Sequence, residues 1–149
     1  MWKLNPDERI SHWRDFRKSL NQLPLEQALD STAKFWQTVP FSPYYLDPDN
    51  NSTWPDPWTL IYENTYCDVA KCLGIVYTVL LTEHRNSVDI EFHRYQDPAT
   101  KYEYNLAWIN QGKYILNMID GAIVNNTHVD KKLNLIKQYT ATELQLENY

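Results

Sequence analysis

The chain has 149 residues, a formal net charge of −5 at pH 7 and 43% hydrophobic residues, but only 3 glycines. This length fits a single domain, and the apolar content is sufficient for a buried core. The acidic balance argues against a nucleic-acid partner, because non-specific binding of nucleic acid needs a basic surface. The chain has no glycine-rich phosphate-binding motif, and we expect no cofactor.

The first 40 residues are predicted to be a helical segment. Between residues 7 and 21, apolar side chains recur at intervals of three, three and four residues, which is the spacing of one helix face. They are Ile10, Trp13, Phe16 and Leu20. A second pattern over residues 25–37 predicts another helix, and Pro40 ends it.

Residues 40–58 are rich in proline, aromatic and acidic residues, which excludes regular secondary structure over most of this loop. Long ordered loops often carry a function, and tryptophan and tyrosine are favoured anchors at protein interfaces. The loop's aromatic side chains have two interpretations: a contact patch for another protein, or packing of the loop on its own core. The candidate interaction residues are Phe41, Tyr44, Tyr45, Trp54 and Trp58.

No metal site is predicted. Asp47, Asp49 and Asn51 alternate like the first ligands of a calcium-binding loop. The glycine and glutamate that such a loop requires at its sixth and twelfth positions are missing. The two cysteines and the scattered histidines match no zinc spacing. Because the two cysteines are five residues apart on one predicted helix, they point in different directions and no disulfide is expected.

The stretch from Val69 to Leu81 is apolar on almost every side of a helix. Such a helix has to be buried inside something larger, and it is too short to cross a bilayer, which needs about 20 apolar residues. It is therefore predicted to be the central helix of the domain, and no membrane partner is expected. Cys67 lies at its first turn, where unpaired amides and the helix dipole stabilise negative charge.

After Glu83 the apolar period changes to two, which predicts a half-buried strand over residues 88–93. Two more alternating stretches, 102–108 and 114–118, follow after short turns, so the three strands form an antiparallel meander. Helices followed by an antiparallel sheet packed on a buried central helix give an α+β fold. The pattern from Leu133 to Tyr139 fits either a further strand or a helix.

Several short motifs occur in order between residues 54 and 124: Trp58-Thr59-Leu60-Ile61, Cys67 opening the buried helix, Leu106-Ala107-Trp108-Ile109, Gly112-Lys113-Tyr114 and Asp120. In this order they resemble the transglutaminase-like (papain-like cysteine protease) fold. In that family a cysteine at the head of the central helix is the nucleophile, a histidine on a strand is the base, and an aspartate on the next strand orients it. We divide the single domain, 1–149, into a helical N-terminal segment, 1–40, a transglutaminase-like core, 54–124, and a C-terminal extension, 125–149.

Carried over by position, the resemblance predicts a degenerate site without catalytic residues. Cys67 matches the nucleophile. The base position falls on Leu106 or, one residue earlier, on Asn105, and the orienting position falls on Asn117 or Asp120. Neither leucine nor asparagine takes a proton from a thiol, and the loss of a general base slows catalysis by about 10²–10⁴-fold.

Other histidines are not expected to replace the missing base. His93 lies on the polar face of a predicted strand. His84 lies at the far end of the central helix, roughly 25 Å from Cys67 at the rise of an α-helix.

Two functions from different classes follow from this reading. The first is a non-catalytic structural or adaptor protein that binds other proteins in a larger assembly. The wealth of aromatic residues and asparagine and the scarcity of glycine are similar to small proteins of tailed bacteriophages, which implies a minor virion component at the neck, tail or baseplate. Residues 1–8 lack the apolar run of a signal peptide, so we expect the virion or the host cytoplasm. The rival is an active thiol hydrolase or acyltransferase that uses Cys67.

Overall fold

A computed structural model describes residues 1–129 and 132–149 of the chain. Residues 130 and 131 of the predicted C-terminal extension lie outside the described residues. The chain begins with four helices and continues into five strands. The helices are α1 (Pro6–Leu20), α2 (Leu25–Gln37), α3 (Pro57–Glu63) and α4 (Asp68–Leu80), and the strands are β1 (Ile90–Gln96), β2 (Glu103–Ile109), β3 (Tyr114–Leu116), β4 (Ile123–Val124) and β5 (Asn134–Tyr139).

Polar caps explain where two of the helices begin. The Asn5 side chain accepts a hydrogen bond from the amide of Glu8 at the start of α1. The Asp56 side chain accepts one from the amide of Thr59 at the start of α3. In both helices a proline occupies the first turn, where its missing N–H has no helical partner to lose. Helix α3 ends at Asn64, which adopts the left-handed conformation that asparagine tolerates.

The strands form one antiparallel sheet in the order β4-β3-β2-β1-β5. The predicted meander is β1, β2 and β3, and the segment with two interpretations at the C-terminus is a strand, β5, which pairs with β1. The third strand is shorter than predicted and ends at Leu116, because the next residue, Asn117, has a φ of 74°. The α+β arrangement predicted from the sequence is confirmed.

Helix α4 is the centre of the core. All of its residues except Asp68 and Lys71 are buried, and it lies between the other helices and one face of the sheet. That face contributes Phe92, Ala107 and Ile109 to the same core. No helix among the described residues is long and apolar enough to span a bilayer.

One buried hydroxyl joins three of the helices. The Oγ1 atom of Thr78 accepts hydrogen bonds from Nε1 of Trp13 at 3.0 Å and from Nε1 of Trp36 at 2.8 Å. It also lies 2.6 Å from the carbonyl oxygen of Gly74, one turn earlier in α4, to which it donates. Because both indoles are fully buried, their N–H groups depend on this oxygen. Thr78 therefore fixes how α1 and α2 pack on the central helix.

Candidate functional site

Cys67 is the residue immediately before α4, in the N-cap position, and its backbone is extended. It is 6% exposed, and its side chain makes no capping hydrogen bond to the first turn of the helix. The chain that enters the helix is held in place by the preceding loop. Phe41 forms a parallel bridge with Tyr66, and the amide of Ser42 donates to the carbonyl of Tyr66 at 2.8 Å. The loop 40–46 therefore runs beside the head of α4.

At the head of α4, the polar side chain that reaches the neighbouring strands is that of Asp68, the first residue of the helix. Its Oδ2 accepts a hydrogen bond from Nδ2 of Asn105 at 2.8 Å, and its Oδ1 accepts one from Nδ2 of Asn117 at 3.2 Å. Asn117 also donates to the backbone carbonyl of Asn105 at 2.9 Å. These three side chains are the polar cluster of the candidate site, and they join the helix head to β2 and to the end of β3.

Burial and hydrogen bonding act in opposite directions on Asp68. Burial raises the pKa of its carboxyl group, while the hydrogen bonds from Asn105 and Asn117 and the charge of Lys71 oppose the rise. Lys71, one turn along the helix, forms an ion pair with Asp120. This ion pair joins α4 to the segment that follows β3.

The structure decides between the alternatives for the strand positions. Asn105 faces the head of α4, whereas Leu106 points to the opposite face of the sheet, where it packs with Ile115 and Val124. Directly after β3, Asn117 is the residue that donates a hydrogen bond to Asp68, whereas Asp120 forms an ion pair with Lys71. Both strand positions therefore carry amides. An amide donates and accepts hydrogen bonds but does not take up a proton at neutral pH.

Two histidines, His93 and His84, have partners other than Cys67. On β1, the ring of His93 stacks on Trp108 with a centroid distance of 4.4 Å, and its Nε2 lies 3.0 Å from Oε1 of Glu91. His93 pairs with Leu106 in the sheet register, so it lies on the face that points away from α4. Nε2 of His84 lies 2.9 Å from the carbonyl oxygen of Leu20. Among the residues that the structure describes, no histidine nitrogen contacts Cys67.

The five aromatic residues proposed for interaction do not form one patch. Phe41 and Tyr44 are strongly exposed beside the head of α4. Tyr45 is half-buried against the core. Trp54 packs on the aromatic rings of β1 and β5. Trp58 lies on α3, in contact with α1. Two of the five, Tyr45 and Trp54, therefore pack the loop on the core. Two others, Phe41 and Tyr44, are exposed on the loop beside the head of α4.

Sequence reasoning missed Asp68, although it directly follows Cys67. Its signal was an acidic residue in the first turn of an otherwise apolar helix, a position where negative charge is favoured. That its carboxylate reaches two strands depends on contacts between residues 37 and 49 positions apart in the chain. Among residues 1–129 and 132–149, no group of three His, Cys, Asp or Glu side chains is placed to hold a metal ion.

No protein-family model and no curated protein sequence matches the chain. Three solved structures of LapG from Legionella pneumophila do match. The calcium-bound form has a TM-score of 0.74 and 11% identity, over 93% of this chain and 78% of LapG. The EGTA-treated form has a TM-score of 0.71 and 12% identity, over 91% and 74%. A third structure has a TM-score of 0.72 and 12% identity, over 91% and 75%.

These matches correct the leading functional prediction. LapG is a cysteine protease with a transglutaminase-like fold, and nothing in the comparisons points to a phage. The prediction of a non-catalytic structural or adaptor protein of a virion is contradicted, and the rival prediction of a thiol enzyme fits better. The error arose because residue composition reflects how a loop packs and does not identify an assembly. At this level of identity the matches establish the architecture, and the chain has the transglutaminase-like fold.

Proposed function

We propose that the chain is a thiol hydrolase or acyltransferase that acts on an amide bond of a peptide, with Sγ of Cys67 as the nucleophile. One observation carries the proposal: Cys67 occupies the N-cap of the buried helix without capping it. The first amides of a helix need a partner, and an N-cap side chain usually supplies it. Here they remain free of a side-chain cap and are available to stabilise a thiolate or the oxyanion of a tetrahedral intermediate.

The chemical steps follow the general scheme for a thiol nucleophile. The sulfur attacks the carbonyl carbon as its proton leaves, and the carbonyl oxygen becomes the oxyanion. The C–N bond then breaks, and the departing amine takes up a proton, which leaves a thioester on Cys67. Water hydrolyses the thioester, or an amine accepts the acyl group.

We assign the proton transfer to Asp68. Its carboxylate has about four acceptor positions, of which the bonds from Asn105 and Asn117 use two. Burial raises its pKa, and a higher pKa makes a carboxylate a better proton acceptor. An imidazole would serve better at neutral pH, so turnover is expected to be slower than with a histidine base, by at most about 10²–10⁴-fold, which is the whole contribution of a general base.

The test compares two cysteines of the same helix. Wild type, Cys67→Ala and Cys72→Ala are incubated with a mixture of fluorogenic peptidyl aminocoumarin amides. Cys72 is fully buried and serves as the matched control. Wild type and Cys72→Ala are expected to release aminocoumarin. The rate of release by Cys67→Ala is expected to be at least about 100-fold lower, which is the size of effect expected when a catalytic group is removed. Equal release by wild type and Cys67→Ala, or none from either, refutes the proposal.

A further inference from the structure

An open groove runs between α1 and α3, and we call it the α1–α3 groove. It has a volume of about 450 Å³ and is lined by Ile10, Trp58, Thr59, Tyr62 and Glu63. Trp58 is 44% exposed and Tyr62 is 58% exposed. The two aromatic residues are four positions apart, so they share one face of α3. Exposed apolar side chains that occur together indicate an interaction surface, whereas single ones need no explanation.

The two helices that form the groove run antiparallel. Near the start of α1, the Arg9 side chain donates hydrogen bonds to the carbonyl oxygens of Ile61 at 3.1 Å and Tyr62 at 2.7 Å. Toward the end of α1, the guanidinium carbon of Arg17 lies 5.4 Å from the centre of the Trp58 ring. The groove therefore extends from the end of α3, beside Tyr62, to the start of α3, beside Trp58.

The two ends of the groove carry opposite charges. Glu63 lines the groove at the end of α3, and it is exposed. Arg14 is also exposed. It lies one turn after Ile10 on α1 and so shares the helix stripe of Ile10 and Arg17, toward the start of α3. Within residues 1–129 and 132–149, neither Glu63 nor Arg14 forms an ion pair.

The positive charge at the start of α3 is not compensated by the chain's own carboxylates. Burial lowers the pKa of the Arg17 guanidinium, and the positive charge of Arg14 lowers it further. The Nε atom of Arg17 is buried and has no hydrogen-bond partner in the part of the chain that the structure describes. A carboxylate supplied by a partner would therefore be attracted to this end of the groove, because opposite charges across an interface favour association.

A groove with apolar side chains in the middle and opposite charges at its ends is complementary to itself. In a two-fold dimer the same surface of both copies is in contact, and the two surfaces can lie in reverse directions. Glu63 of one copy then faces Arg14 of the second copy, and the symmetric pair forms at the other end. A partner surface with one sign of charge would match only one end of the groove.

We propose that the α1–α3 groove is the contact surface between two copies of this chain in a two-fold dimer. Trp58 and Tyr62 of each copy pack against those of the other, and the two Glu63–Arg14 pairs set the direction. The surface is small beside the roughly 1,200–2,000 Å² that a stable interface buries, so the dimer forms reversibly at high protein concentration. It contains no residue of the candidate site at the head of α4.

The test is sedimentation equilibrium on the full chain at protein concentrations from roughly 10 μM to 1 mM, the range of weak association. Wild type is expected to shift from monomer to dimer as the concentration rises. Glu63→Arg and Arg14→Glu are each expected to raise the dissociation constant at least about tenfold, because each places like charges opposite one another. The double variant restores opposite charges and is expected to recover most of the loss. Glu26→Arg, at an exposed position of α2, changes the net charge as Glu63→Arg does and is the matched control.

Three results would overturn the proposal. The first is a wild-type chain that stays monomeric up to about 1 mM. The second is an equal loss of dimer in Glu63→Arg and in Glu26→Arg. The third is a double variant that dimerises no better than either single variant. The hydrolase proposal is judged separately, by aminocoumarin release, since the groove is remote in sequence from Cys67 and has no part in that chemistry.

Discussion

Replacing Thr78 with valine is expected to lower the free energy of unfolding by roughly 2–6 kcal/mol. Valine has nearly the same shape but lacks the oxygen that accepts hydrogen bonds from Trp13 and Trp36. Both indole N–H groups are fully buried, and a buried donor that loses its partner costs about 1–3 kcal/mol. The total is a large fraction of the 5–15 kcal/mol that typically stabilises a domain.

The measurement is urea-induced unfolding followed by tryptophan fluorescence. Thr78→Ser is the matched control, since it keeps the hydroxyl and loses only a methyl group, which costs about 1 kcal/mol. In a double-mutant cycle with Trp36→Phe, the combined loss is expected to be smaller than the sum, because the phenylalanine has no N–H left to satisfy. A Thr78→Val protein as stable as Thr78→Ser would refute the reasoning.

Three further predictions concern α4. In Gly74→Ala, the added Cβ would lie 2.2 Å from Cη2 of the buried Trp36 ring, so overpacking of about 1–3 kcal/mol should exceed the gain in helix propensity of about 1 kcal/mol and lower the urea midpoint. Because burial raises the pKa of Asp68 above its unfolded value, the native state holds the extra proton, and this carboxyl group's contribution to stability falls as pH rises above about 4. The stability of Asp68→Asn relative to wild type should therefore increase with pH in unfolding curves, and a pH-independent difference contradicts this. Burial raises the pKa of the Cys72 thiol, so in a Cys67→Ala protein iodoacetamide should label it only as fast as the chain unfolds, and rapid labelling of folded protein would contradict the buried position.

The candidate site was predictable in part. The position of Cys67 at the head of a buried helix follows from the run of apolar residues after it, because a helix that is apolar all round has only one place in a small domain. The choice between Asn105 and Leu106 was not predictable, because a shift of one residue exchanges the two faces of a strand. Only the packed sheet shows that the asparagine faces the helix and the leucine faces away.

The sequence by itself determined the order of α1, α2, α4 and the three strands of the meander, and the burial of α4, since these depend on periodicity and local propensity, which are properties of neighbouring residues. The tertiary structure alone decided that Asp68 reaches Asn105 and Asn117, that His93 stacks on Trp108 on the far face of the sheet, and that the exposed Phe41 pairs with Tyr66 beside Cys67. The physical reason is distance along the chain: these contacts join separate elements, and their geometry is set by how helices and sheet pack together.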